Sequence, residues 1–570
     1  MLSEISNPLK KIWPILPAKS KRQLILLVGL LTVATVLEMI GIGLILPLLG
    51  TLLPNMSNGQ DGGGSLVREI ISHFKAISIS VIALFLVLTF TIKNIYLALL
   101  NFYQSKLIFG LEAYFSGQLL EIYLQKSIVE LKRRSTGHLL RNLTIEVSQM
   151  CHSTLAPLCN LLAEILVCLG IFILIVVIDP VGAILASLIL LTVAALFHLG
   201  IRNPVARWGG QRQLHEGMRL KKLGEYFDSI RQIKLSNLEG DFKDDYMIHA
   251  SESANSGRYL FTTQSLPRLF LEISAVWTLI ILFIIGTHNK GAMIIPILGV
   301  YALAIFRLMP STNRILNSLQ SIRFSKASTD LVCQELLDRS PCNSGRFRTG
   351  GSLAEFKSNI ILSDISFRYP GESEYVIRNL NFRIDKGDFI HLVGRSGAGK
   401  STLLDLISGF VEPTAGSITC DGRDVSHNSR MRMGLFAYAS QTTALVDGTI
   451  LQNVTLGIPE DMIDLEILER VISTCGLTDI VRAESENKPQ TIGERGMALS
   501  GGQRQRVGIA RELYRCREIL ILDEATNALD SESEASILSG IIQNFSSTLI
   551  FVTHRPVSDE FTPRIVQLSV

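Results

Sequence analysis

Residues Gly394, Arg395, Ser396, Gly397, Ala398, Gly399, Lys400, Ser401 and Thr402 are spaced as a phosphate cradle. The apolar run FIHLV precedes them and LLDLISGF follows, so the order is strand, loop, helix. Glycine lets backbone N–H groups close on a phosphate with no Cβ in the way, and the helix N-terminus adds the positive end of its dipole. Lys400 then reaches the β- and γ-phosphates, and the Ser401 hydroxyl serves as a ligand for Mg2+. The ligands that this spacing predicts are ATP and Mg2+.

Two further segments complete a hydrolytic site. Ile519-Leu520-Ile521-Leu522-Asp523-Glu524 is a buried-strand pattern that ends in two carboxylates. Asp523 suits the metal, and Glu524 suits the carboxylate that polarises an attacking water. Leu499-Ser500-Gly501-Gly502-Gln503 opens the helix RQRVGIARELYR and forms a second phosphate-binding N-terminus. One fold rarely needs two such sites for one γ-phosphate. A head-to-tail pair of copies uses both: residues 394–402 of one and 499–503 of the other.

These residues sit in a chain of 570 residues that is 47% hydrophobic and only 18% charged, with mean hydropathy +0.33. Soluble domains are nearer 25% charged, so a mainly soluble or disordered protein is excluded. Residues 1–330 hold 30 of the 54 Lys and Arg but 20 of the 51 Asp and Glu. The first half is therefore basic and the second acidic. Its basic residues flank apolar spans, which argues against nucleic-acid binding. The cysteines follow no metal-like or disulfide spacing. The expected organisation is a membrane domain over 1–325, a Gly/Ser-rich linker over 326–357 and a nucleotide-binding domain over 358–570.

Six apolar spans can be read in the first half, at about 24–49, 77–100, 155–178, 181–200, 266–286 and 292–309, since ~20 helical residues cross the hydrocarbon core. Lys and Arg crowd the N-terminal stretch and the loops 104–154 and 201–265, while the alternate loops are short. This places both termini in the cytoplasm. The two long loops are expected as pairs of helical legs reaching roughly 38 Å past the membrane, with tips at 129–138 and 224–236. A short amphipathic helix is expected outside, at 66–75. Glu38, Lys93, Asn94, Glu164, Glu272 and Arg307 fall within spans, where polar groups are costly and often functional. Glu38 is expected to pair with a basic residue across the bundle or to line a polar cavity; Lys93 and Arg307 can snorkel instead.

Together these motifs make the chain resemble an ATP-binding cassette (ABC) exporter half-transporter. The resemblance implies an all-α, six-helix exporter-type transmembrane domain followed by an α/β P-loop cassette. It also implies roles for residues that match the family's motifs. Tyr369 in SFRYPG matches the adenine-stacking aromatic. Gln441 in YASQ matches the lid glutamine that senses Mg2+ and contacts the coupling helices. Residues 491–496 match the exporter-specific segment, and Asn527 to Asp530 match the loop linking two ATP sites. His554 in VTHRP matches the switch histidine at the γ-phosphate. Glu524, His554 and Lys400 are thus the expected catalytic residues.

The intact Lys400, Ser500, Glu524 and His554 favour a homodimer, a related half-transporter being the other possible partner. Sixteen residues follow His554, fewer than in many relatives, which bears on C-terminal packing. The first span begins near residue 24, so no N-terminal peptidase domain is expected. The pattern E-x-x-G-I-G-L-x-x-P-L from Glu38 to Leu48 resembles flippases of lipid-linked oligosaccharides. The expected function is ATP-driven export or flipping of such a lipid, or another amphipathic substrate, across a bacterial plasma membrane. Export of peptides or drugs, and an ATP-gated channel or regulatory subunit, are the alternatives.

Overall fold

The computed structural model describes residues 2–43, 79–178, 180–290, 294–338, 356–395, 397–486, 492–493, 496–515, 517–545, 547–555 and 561–568. The chain divides into a helical unit, up to Cys342 apart from Ser127–Val129, and an α/β unit that takes Asn343–Val570.

In the helical unit an amphipathic helix, Leu2–Ile15, precedes the first span helix, Ala18–Gly43. Among the described residues five helices are long and apolar enough to cross a membrane: Ala18–Ile40, Leu84–Gln125, Thr136–Ile173, Pro180–Asp228 and Glu239–Ile284. The sixth expected span lies in the helix Ile294–Phe324, where Arg307 and Pro310 interrupt the apolar run. The expected external helix at 66–75 lies outside the described residues.

Both long loops are continuous helical legs. Ile79–Gln125 is one helix of 47 residues, about 70 Å at 1.5 Å per residue. It ends at a short helix, Ile128–Lys132, and the chain turns back at Thr136. Pro180–Asp228 and Glu239–Lys290 flank a second short helix, Ile230–Leu235. The linker expected over 326–357 is corrected at its start. Lys326–Leu337 is a helix of the helical unit, because Val332, Cys333 and Leu336 pack into a core with Val147 and Met150.

The return leg contains two π-helical turns, Asn142–Glu146 and Cys151–Leu155. The first presents Glu146, fully buried, to Arg141 at 3.5 Å and Arg212 at 3.1 Å. Within the spans, Lys93 lies 3.7 Å from Glu38, and Arg307 is ion-paired with the same buried carboxylate. Glu38 therefore takes the cross-bundle pairing, and its two cations turn inward rather than snorkelling. Glu164 pairs with Arg314, and Glu272 with the exposed Arg268.

The α/β unit has two sheets. Antiparallel strands run β2-β1-β4-β5, with β1 Asn359–Phe367, β2 Ile377–Asp385, β4 Ala415–Cys420 and β5 Arg423–Asp424. Parallel strands run β6-β7-β8-β3-β9, with β3 Phe389–Val393, β6 Phe436–Ala439, β7 Ile519–Asp523, β8 Thr548–Val552 and β9 Arg564–Gln567. β7 and β8 are apolar almost throughout, as strands covered on both faces must be. Their C-terminal ends and that of β3 lie together, which is where open parallel sheets bind ligands.

Candidate nucleotide site

The phosphate cradle follows β3 directly. Gly397 and Gly399 have φ of 85° and 82°, left-handed values that favour glycine. Gly399 caps the helix Lys400–Ser408, whose first residues face the loop. Lys400 is buried, and its Nζ donates to the carbonyl oxygens of Gly394 at 2.6 Å and Arg395 at 3.3 Å. The ammonium is thus held inside the cradle by the loop's own backbone. Ser401 is exposed beside it. Ser396 lies outside the described residues.

Across the sheet, β7 delivers the acids. Asp523 accepts a hydrogen bond from Tyr438 Oη at 2.7 Å. Burial holds its carboxyl above the usual carboxylate range; the Tyr438 bond opposes this, the Glu524 charge adds to it and Lys400 opposes it. Burial, followed by the Asp523 charge, pushes the Tyr438 phenol up. A half-buried carboxylate (Asp523), a hydroxyl (Ser401) and an amide oxygen (Gln441) are hard oxygen donors and fit Mg2+.

Glu524 is the hub. Its φ of 51° is left-handed, rare for a residue with a Cβ. The turn aims its carboxylate at three side chains. Gln441 Nε2 donates to Oε2 at 2.7 Å, Asn527 Nδ2 donates to Oε2 at 2.9 Å, and His554 Nε2 lies 3.1 Å from Oε1. Gln441, Glu524 and His554, separate in sequence, therefore meet at one point.

Tyr369 lies at the other side of the cradle, with its Oη 3.2 Å from Thr402 Oγ1 and its ring edge-on to Phe367. The remaining candidates stand at helix starts. Ser500 caps Gly501–Tyr514 in a reciprocal box with Gln503: Gln503 N–H donates to Ser500 Oγ at 3.2 Å, and Ser500 N–H to Gln503 Oε1 at 2.8 Å. The Gln503 side chain thus serves the cap. Gly501 and Gly502 leave Ser500 exposed ahead of them. Asp530 caps Ser531–Asn544, and Ser533 donates to it from its backbone at 3.0 Å and from its side chain, which holds the carboxyl below its ordinary range.

Sequence reasoning missed three positioning residues. Tyr438 orients Asp523. Arg555 donates to the carbonyls of Leu529 at 2.7 Å and Asn527 at 2.9 Å, so it clamps the loop after Glu524. Gln505 accepts from Ala528 N–H at 2.8 Å on the opposite side. The signal available was position alone: Arg555 directly follows the histidine, and Tyr438 stands three residues before the glutamine.

Residues 377–527 match the family model described as "ABC transporter". The lipid A-core flippase of Cupriavidus metallidurans is 36% identical over 222 residues, covering 38% of this chain and 37% of that protein. The lipid A-core flippase of Vibrio parahaemolyticus is 31% identical over 303 residues, covering 52% and 51%. The multidrug transporter atrD of Emericella nidulans is 38% identical over 225 residues, covering 39% and 17%. The matches thus span about half or less of these relatives. A solved bacterial Atm1-family ABC exporter superposes with a TM-score of 0.76 at 18% identity, covering 94% of this chain and 91% of that one. Residues 377–527 are an ABC transporter domain, and the chain has the fold of an ABC exporter half-transporter, a helical domain joined to a nucleotide-binding domain.

Proposed function

We propose that this chain is one half of a membrane exporter that hydrolyses ATP, works as a homodimer and moves an amphipathic cargo. The convergence of Gln441, Asn527 and His554 on Glu524, beside the Lys400 cradle, carries this reading. Two cassettes face each other head to tail. Lys400 of one copy and Ser500 of the other hold each triphosphate. Ser401, Gln441 and Asp523 would hold Mg2+, which would supply charge neutralisation at the phosphates. Glu524 polarises the attacking water, and His554 orients the carboxylate and touches the γ-phosphate. Closure and reopening of the cassettes switch the twelve-span bundle between inward- and outward-facing states, which requires that ATP bind the closed state better.

The cargo that fits best is a lipid-linked oligosaccharide or another glycolipid. Relatives named as lipid A-core flippases support a lipid cargo, and the Glu38 pattern supports the glycan. Relatives named as multidrug transporters keep drugs among the test compounds. The membrane is read as a bacterial plasma membrane with both termini in the cytoplasm.

Glu524→Gln tests the chemistry: ATPase activity should fall by about 10²–10⁴-fold, and an ATP-bound dimer should accumulate in native mass spectra. Hydrolysis at the wild-type rate would assign the water to another base. ATP-dependent flipping of a polyprenyl-linked glycan in proteoliposomes tests the cargo. ATPase activity with no vectorial movement of glycolipid, peptide or drug would favour the channel or regulatory reading.

A further inference from the structure

Arg511 is a buried cation with no ion pair among the described residues. It stands in the last turn of the helix Gly501–Tyr514, and its guanidinium meets amide oxygens. Nε donates to Asn453 O at 2.8 Å, Nη1 to Ala444 O at 2.8 Å and Nη2 to Asn453 Oδ1 at 3.0 Å. A guanidinium is a rigid planar fork of donors, so three bonds fix the spacing of the oxygens it meets. Asn453, in the helix Ile450–Val454, is fully buried. Its Nδ2 donates to Val446 O at 2.9 Å and Thr449 O at 3.1 Å, and its Oδ1 also accepts from Val446 N–H at 3.0 Å. A primary amide has two donor hydrogens and two acceptor lone pairs, and here all four are used. A buried polar network satisfied this completely specifies one arrangement.

What the two side chains hold is the loop that carries Gln441. Residues 440–449 form neither helix nor strand. The loop leaves β6, where Ala439 is opposite Leu522, and is next fixed at Ala444 and Val446. Between these points Thr443 lies over Gly508, where an added Cβ would stand 2.5 Å from the threonine Oγ1. Gln441 itself is exposed. Its side chain nevertheless meets Glu524 Oε2 at 2.7 Å. An exposed side chain on an irregular loop is placed by whatever holds the two ends of that loop. Here one end is the sheet and the other is the Arg511–Asn453 clamp.

We infer that Arg511 and Asn453 are positioning residues for hydrolysis: they hold Gln441 where its amide reaches Glu524 and the metal position. Both act through the loop, since their partners are its carbonyls and N–H groups and not the Lys400 cradle. Displacing a reacting group by ~1 Å can cost about 10²-fold in rate, so a loosened loop should show in turnover. The inference rests on the proposed role of Gln441 at the metal.

The test uses the full-length protein and its ATPase rate. Arg511→Lys keeps the charge but loses the fork. Asn453→Asp keeps the shape but loses both donors. Each should lower kcat by about 10–10²-fold and raise the Mg2+ concentration that gives half the maximal rate. The KM for ATP at saturating Mg2+ should stay within about twofold, because the Lys400 cradle is intact. Unfolding midpoints identify a variant that has simply lost its fold. Arg511→Lys, which retains the charge, carries the test if Asn453→Asp is one. The decisive comparison is with Gln441→Ala. In that background Arg511→Lys should cost less than about twofold more, because the two act as one unit. Losses that multiply in the double variant overturn the inference, since the clamp then serves the fold or another residue. Clamp variants with wild-type kcat and Mg2+ dependence overturn it as well. A Gln441→Ala protein that hydrolyses ATP at the wild-type rate overturns the metal role of Gln441, and the inference with it.

Discussion

Glu524 pays for its placement with a left-handed backbone, a strain of about 1–3 kcal/mol that persists only where surroundings over-determine it. Here they do: its N–H donates to Val552 O at 3.0 Å and its carboxylate is met by Gln441, Asn527 and His554. Asp523, one residue earlier, has a single hydrogen-bond donor among the described residues, the Tyr438 phenol. Removing that phenol leaves the half-buried carboxylate short of a donor. Tyr438→Phe should therefore cost about 1–3 kcal/mol of cassette stability. It should also raise the Asp523 carboxyl further, because the bond that opposes burial is gone. The active, ionised form then appears only at higher pH, so the acid limb of the ATPase profile should move upward. A pH–rate profile beside thermal unfolding checks both effects. An acid limb that does not move would remove Asp523 from the titrating groups.

Strand β3 shows how an element sets both the site and its sensitivity to acid. It lies between β8 and β9, with His391 opposite Phe551 and Ile565. His391 is buried, and its Nε2 has no hydrogen-bond partner among the described residues. Burial lowers its pKa from 6.5, and a backbone hydrogen bond to Thr553 only partly offsets this. The folded state thus binds this proton more weakly than the unfolded chain does. Stability is intact above the ordinary value of about 6.5 and falls as pH drops through it towards the depressed folded value. His391→Val should flatten that decline. Unfolding midpoints at about pH 7.5 and 5.5 measure it, and equal declines in both proteins would show that other groups set the acid response. The strand itself was legible as FIHLV before a glycine loop, because strand, loop and helix signals are all local. The same holds for β7 and its terminal acids. The buried Glu146 pair was not legible: Arg212 is 66 residues away, and a π-turn, which no residue pattern announces, aims the carboxylate. Arg555 and Tyr438 escaped notice for the same reason, since their partners are fixed by the sheet rather than by spacing.

At the scale of the whole molecule, the proposed function makes one chain the supplier of two incomplete halves of a nucleotide site. On that reading the cradle around Lys400 and the exposed cap at Ser500 each meet phosphate, and Gly501–Tyr514 opens at that cap. A head-to-tail homodimer turns these into two composite sites, each with Lys400 from one copy and Ser500 from the other, and closed two-fold pairs are the commonest symmetry. This arrangement makes a distinctive prediction about mixing. Lys400→Ala homodimers and Ser500→Arg homodimers each spoil both sites, so each should be inactive. A mixed dimer of the two variants places both lesions in one site and leaves the other with a native Lys400 and a native Ser500. Separately tagged copies, co-expressed and purified through both tags, should therefore recover one intact site. That dimer should bind about one ATP tightly and hydrolyse well above either parent. Sites completed within a single chain behave differently: every site in the mixture then carries one lesion, and the mixed dimer stays as inactive as its parents. Recovery in the mixed dimer, read by ATP stoichiometry and turnover together, thus separates a shared site from a private one without requiring the cargo to be known.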